Sequence, residues 1–282
     1  MPDGLAIVAG RGALPRLLAE ACAAEGRPYR VVQFDGVPLD WAAAHPVVPA
    51  AFEKPGRLFA DLRAAGCDAV TFAGGILRPK LSVLRFDLAM LRLAPRLLAG
   101  IRSGDDSTLR LVARLFEAEG FAVVAAHEIL PDLLVPPGPL GQVAPTAADR
   151  ADADRAAGIV AALGAADVGQ AAVVGQGLCL GLESIQGTDA LLAFVAGTAA
   201  RYRPNPNGAK GVLFKAPKPG QDRRLDLPAI GPDTVRGAIA AGLAGVAVEA
   251  DGVMLLDAAT AIAEADAAGL FVWGRAREGG RA

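Results

Sequence analysis

The sequence predicts an α/β protein in two parts: an N-terminal Rossmann-like parallel-sheet domain and a distinct C-terminal α/β domain. Three observations predict it. Short apolar runs alternate with helical patterns from Leu5 to Ala126, which implies parallel strands joined by right-handed crossovers. A stretch rich in proline and glycine then breaks the pattern. The length, 282 residues, suits two domains of ordinary size better than one.

Taken in order, Leu5–Ala9 reads as a strand and Pro15–Glu25 as a helix with proline at its first position. Tyr29–Phe34 is a second strand, Arg57–Ala65 a second helix, and Ala69–Ala73 a third strand closed by Gly74-Gly75. Helices are expected near Leu81–Leu93, Pro95–Arg102 and Ser107–Glu119, with a last strand at Phe121–Ala126. Pro131–Pro139 and Gly141–Pro145 read as a linker, placing domains at 1–130 and 149–282 with the linker at 131–148. Beyond it come a helix at Asp149–Leu163, a strand region at Gln170–Leu182, a helix at Thr188–Ala200 and a strand at Gly211–Lys215. Val246–Glu249 and Val253–Leu256, separated by Ala250-Asp251-Gly252, have the pattern of a hairpin. A helix at Thr260–Ala268 and a strand at Leu270–Trp273 finish the chain.

Composition excludes several function classes. The 28 Lys and Arg against 30 Asp and Glu leave a formal charge of −2, so no basic excess advertises a nucleic-acid partner. Three dispersed cysteines, Cys22, Cys67 and Cys179, offer neither a disulfide framework nor a zinc site, which fits a reducing, cytoplasmic compartment. Two histidines, His45 and His127, are too few for a histidine-rich metal centre. A metal would be held by oxygen, which points to Mg²⁺ or a similar hard cation such as Mn²⁺. The longest uncharged stretch, Leu133–Ala148, has 16 residues and four prolines, too short and too broken to span a bilayer.

Gly10-Arg11-Gly12 lies where a strand turns into a helix, a place where backbone N–H groups can meet a phosphate. Pro15 stands where the dinucleotide fingerprint wants its third glycine, although Asp35 after the second strand could reach a ribose. Asp105 and Asp106 precede a helix; capping accounts for one carboxylate and leaves the other free for a ligand. Gln170 and Thr188 bracket the strand region ahead of a second helix start, which serves equally as an anion site or as plain capping. Lys215 to Asp226 holds four cations and two carboxylates on a loop that its prolines and glycine keep out of a regular helix. Lys215, Lys218, Gln221 and Arg223 there suit phosphoryl oxygens, and the carboxylates suit a divalent cation or a water. Arg78, Arg85 and Arg92, with Lys80 and Arg96 nearby, alternate with Leu81, Leu84, Leu88 and Leu91. Such a segment packs its leucines into the core beneath a basic face, or lies on an anionic membrane surface.

The ordered set Gly10–Pro15, Gly104–Asp106, Asp167–Gln170, Gly187–Asp189 and Lys215 through Gly231 resembles the UDP-2,3-diacylglucosamine pyrophosphatases of the lipid A pathway, of the LpxI type. The resemblance runs nearly end to end. It implies Mg²⁺-dependent attack of water on the α-phosphorus of UDP-2,3-diacylglucosamine, giving UMP and 2,3-diacylglucosamine 1-phosphate, with the substrate gripped between the domains. It puts the family's critical aspartate on Asp226, and Asp189 is the second carboxylate expected at the metal. Arg11 occupies a loop position where the family more often has a small or uncharged residue. The basic leucine-rich segment would place the protein on the cytoplasmic face of the inner membrane, and a homodimer stays open. A non-catalytic nucleotide or lipid-binding regulator is the runner-up; an NAD(P)-dependent oxidoreductase is weakened by Pro15.

Overall fold

The computed structural model describes residues 4–75, 82–92 and 105–277. The expected helix at Pro95–Arg102 therefore lies outside the described residues, as do the ends of the one at Leu81–Leu93. The chain forms two compact units, one of residues 1–131 with 222–226 and the other of 132–221 with 227–282.

In the first unit, β1 (Leu5–Ala9), β2 (Tyr29–Phe34), β3 (Val47–Ala50), β4 (Ala69–Ala73) and β5 (Ala122–Val123) form one parallel sheet in the order β3-β2-β1-β4-β5. The order reverses between β1 and β4, and in open sheets of this kind ligands bind at the carboxyl ends of such strands. The central strands β1 and β4 are mostly apolar and almost wholly buried on both faces, as in parallel sheets covered by helices. On one face Val8, Val32, Val70, Phe59 and Phe116 share a core. Leu14, Leu18 and Cys22 form the buried side of α1 (Leu14–Ala24).

Two readings need correction here. β3 was not expected, because Pro49 interrupts its short apolar run; on an edge strand the missing N–H does no harm. The strand expected through Ala126 ends at Val123, and α5 (Ala126–Ile129) takes over. Glu128 accepts the Ala125 N–H at 3.0 Å and fixes that bend. Between them α2 (Pro55–Ala64), α3 (88–92) and α4 (Asp105–Ala118) complete the layer.

The second unit carries a six-stranded mixed sheet in the order β6-β13-β11-β9-β7-β8. Its strands are β6 (Gly138–Pro139), β7 (Ala171–Gly175), β8 (Leu178–Leu182), β9 (Val212–Lys215), β11 (Gly245–Glu249) and β13 (Phe271–Arg275). One face packs on α6 (Ala147–Ala165) through Ala153, Ala156 and Val160. The other packs on α7 (Gly187–Tyr202), α8 (Pro232–Ala240) and α9 (Ala258–Ala267) through Leu191, Val195, Val235 and Ala261. The proline-rich stretch read as a linker contributes β6 to this sheet and buries Val135 completely.

The hairpin expected at Val246–Leu256 does not form. Both edges of β11 are already taken, by β9 and β13. The chain therefore turns at Asp251, and β12 (Met254–Leu255) pairs in parallel with β10 (Ala229–Ile230) in a separate small sheet. The hairpin of this unit lies instead between β7 and β8. Gln176 and Gly177 both have positive φ, the backbone of a two-residue type I′ connection. Buried Asp152 accepts both of their N–H groups, at 2.9 and 2.7 Å.

Candidate active site

At the switch point of the first sheet the two glycine pairs meet. Gly10 N–H donates to Ala73 O at 2.7 Å, Arg11 N–H to Gly75 O at 2.8 Å, and Gly75 N–H back to Arg11 O at 3.0 Å. A Cβ on Gly74 would stand 2.3 Å from Arg11 O, and one on Gly10 2.6 Å from Gly74 O, so neither position tolerates a side chain. The structure thus brings Gly10, Arg11, Gly12, Gly74 and Gly75 together. It also revises how they work: the first two N–H groups of the expected phosphate cradle are spent on the neighbouring loop. What faces outward is exposed Gly12, with φ +101°, and the start of α1, which no side chain caps. Asp35 follows β2 and pairs with Arg85 at 3.0 Å. Asp105 and Asp106 open α4.

Residues 222–226 belong to this first unit although the chain on both sides of them belongs to the second. Arg224 holds this strap. Its guanidinium donates to both oxygens of Asp222, at 3.1 and 2.8 Å, and to Glu117 on α4 at 3.0 Å. These bonds keep the Asp222 carboxyl below its ordinary range and make Arg224 still harder to deprotonate. Leu225 N–H donates to Asp222 O at 3.0 Å, a tight turn that buries Leu225 and leaves Asp226 exposed; Arg223 is half-buried.

On the second unit, Gln170, Thr188 and Lys215 converge through a residue that sequence reasoning noted only as part of a motif, Glu183. Lys215 donates to Thr188 Oγ1 at 2.8 Å and to Ala229 O at 3.0 Å. Thr188 donates to one oxygen of Glu183, and the other accepts the Gln170 N–H at 3.3 Å. Glu183 and Lys215 are only 6% and 7% exposed. The chain runs from a buried cation to a buried anion with the hydroxyl between them, an arrangement that satisfies groups otherwise costly to bury. Glu183 could have been found from its place five residues before Thr188, where β8 hands over to α7.

Lys218 stands slightly apart. It pairs with Asp167 at 2.6 Å, and its N–H donates to Gln221 Oε1 at 2.9 Å. Asp189 is exposed on the first turn of α7. Among the described residues no three His, Cys, Asp or Glu side chains gather as a ready-made metal cage.

These features define a two-domain α/β protein with a Rossmann-like layer, glycine loops at its switch point and charged loops suited to anionic groups. The family models agree. The one described as the LpxI N-terminal domain matches residues 4–133, and the one described as the LpxI C-terminal domain matches residues 136–273. The UDP-2,3-diacylglucosamine pyrophosphatase LpxI of Caulobacter vibrioides is 42% identical over 270 residues, covering 96% of each chain. The chain belongs to the LpxI family.

Two outcomes follow from this geometry. Replacing Thr188 with Val removes the hydroxyl that links Lys215 to Glu183 and should cost about 1–3 kcal/mol of stability; an unchanged denaturation midpoint would contradict the network. Because the folded-state pKa of Asp222 is depressed, its stabilising contribution is complete above about pH 4. It is lost as pH falls through the depressed value. The protection of the amides at residues 222–226, after correction for the intrinsic pH dependence of exchange, should therefore fall on acidification in the wild type, and much less so in Asp222→Asn, whose strap is already loosened.

Proposed function

We propose that this chain hydrolyses UDP-2,3-diacylglucosamine. Water adds to the α-phosphorus, the bond to the bridging oxygen breaks, and UMP and 2,3-diacylglucosamine 1-phosphate leave. What carries the reading is the end-to-end match to the Caulobacter protein of that name, joined to glycine loops at the switch point of a Rossmann-like sheet. A diacylated substrate resides in a membrane leaflet, so the reading includes work at the cytoplasmic surface of that membrane. No helix among the described residues is long and apolar enough to cross one.

The donor set suits a hard divalent cation, Mg²⁺ or Mn²⁺. Such an ion is ordinarily held by one or two carboxylates together with substrate phosphates and water, so a closed protein cage is not needed. Asp226, an exposed carboxylate, is the proposed ligand, and Asp189 is the second carboxylate to test. When bound, the cation offsets charge on the phosphoryl oxygens and makes an attached water more acidic.

The protein's own groups do the rest. Asp226 orients the attacking water or accepts its proton, and Asp105 and Asp106 are candidates to assist. The turn at Gly12 and the open start of α1 receive phosphate oxygens, with Arg11 and Gly10 shaping that loop and Gly74 and Gly75 bracing it. Arg223 and Lys218 supply positive charge as the leaving phosphate departs, while buried Lys215 steadies the strand end from which their loop leaves. Gln170, Thr188 and Gln221 hold the loops that carry the lysines.

The reading is tested by UMP release from detergent-dispersed UDP-2,3-diacylglucosamine, with Mg²⁺ and then with excess EDTA. EDTA should abolish release. Asp226→Ala should lower turnover by about a hundredfold or more with an unchanged denaturation midpoint, because an exposed loop carboxylate adds little to the core. Full activity in that variant would remove Asp226 from the mechanism.

A further inference from the structure

The segment 82–92 of the first unit is firmly anchored yet shows its leucines to solvent. Leu84 is 98% exposed, Leu88 75% and Leu91 52%. The core-packing reading of this stripe is thereby overturned at these three positions.

Their exposure does not reflect a loose segment. Asp87 Oδ2 accepts the N–H groups of Gly56 and Arg57 at 2.8 and 3.3 Å, capping α2 from outside, while its Oδ1 accepts the Met90 N–H at 2.7 Å and starts α3. Glu53, itself buried, takes the Ser82 N–H on its side chain at 3.3 Å and the Asp87 N–H on its carbonyl at 3.1 Å. Met90 is the residue α3 buries. With the inner face occupied by Asp87 and Met90, Leu88 and Leu91, three apart on the helix, can only point away.

The charge around these leucines decides what covers them. From residue 78 to 96 the sequence holds five cations, Arg78, Lys80, Arg85, Arg92 and Arg96, and a single acid, Asp87. That acid is committed to backbone N–H groups at two helix starts, and Arg85 is paired with Asp35 and Glu53, so the exposed cation beside Leu88 and Leu91 is Arg92. Exposed leucines beside a cationic excess match the apolar interior and anionic headgroups of a lipid surface. A second copy of the chain would instead bring like charge against like charge.

We infer that Leu84, Leu88 and Leu91, beside the exposed Arg92, form a docking surface for an anionic lipid bilayer. This surface rests on the reading that the substrate is a membrane-resident diacylated amphiphile, and it delivers the protein to the leaflet holding that substrate.

The test is co-sedimentation of the full chain with phosphatidylcholine vesicles, and with vesicles that also contain phosphatidylglycerol. The wild type should bind the anionic vesicles alone, and high salt should release it. The combined variant Leu84→Ser, Leu88→Ser and Leu91→Ser should fold normally, since none of the three is buried, and lose binding by about tenfold or more. A wild type that ignores both vesicles, or a triple variant that binds as well as the wild type, overturns the surface. A wild-type dimer that ignores vesicles and becomes monomeric in the triple variant also overturns it, marking the face as an interface between copies. UMP release from detergent-dispersed substrate by the same wild-type sample separates the two readings. Turnover without vesicle binding defeats the surface and leaves the hydrolase. Vesicle binding without turnover defeats the hydrolase and leaves the surface.

Discussion

One arginine determines where the strap carrying Asp226 rests. Arg224 grips Asp222 two residues before it and Glu117 on α4, and so fixes residues 222–226 to the Rossmann-like unit. Each of these ion pairs is partly exposed and contributes no more than about 1 kcal/mol. Their importance is geometric. A loop crowded with prolines and charges has many conformations of similar energy, and three directed hydrogen bonds select one of them. In that conformation Leu225 turns inward and Asp226 is exposed.

The two units solve different problems with the same means. At the switch point of the first, glycines let two loops approach until their backbones bond, and the loops become rigid enough to present Gly12 and the start of α1. In the second, the buried run from Lys215 through Thr188 to Glu183 braces the end of β9, from which the charged loop departs.

Much of this was legible in the sequence because periodicity and glycine placement are local signals. Leu5–Ala9, Tyr29–Phe34 and Ala69–Ala73 stand where their apolar runs predicted, but that Gly10–Gly12 and Gly74–Gly75 meet follows from the pairing of β1 with β4, which a strand pattern alone does not show. Other features depend on partners that a one-dimensional pattern does not show. Val253–Leu256 looked like half of a hairpin because nothing in the sequence says that both edges of β11 are taken. Val47–Ala50 was hidden by Pro49, which only an edge position tolerates. Leu84, Leu88 and Leu91 read as core because their spacing is that of a buried helical face; Met90 and Asp87, between them, hold the inward side instead. Glu183 was an ordinary acid until the fold set it against Thr188.

If the strap positions Asp226 for the reaction, its anchor on α4 must govern turnover. The direct measurement is a double-mutant cycle between Glu117 and Arg224, read as the rate of UMP release from UDP-2,3-diacylglucosamine by wild type, Glu117→Gln, Arg224→Met and the double variant. If Arg224 acts by tying the strap to α4, each single change slows turnover and the double variant is little slower than the worse single. The two effects then fail to multiply by at least about threefold. Effects that multiply independently, or single variants as fast as the wild type, would show that the strap's position is irrelevant to catalysis.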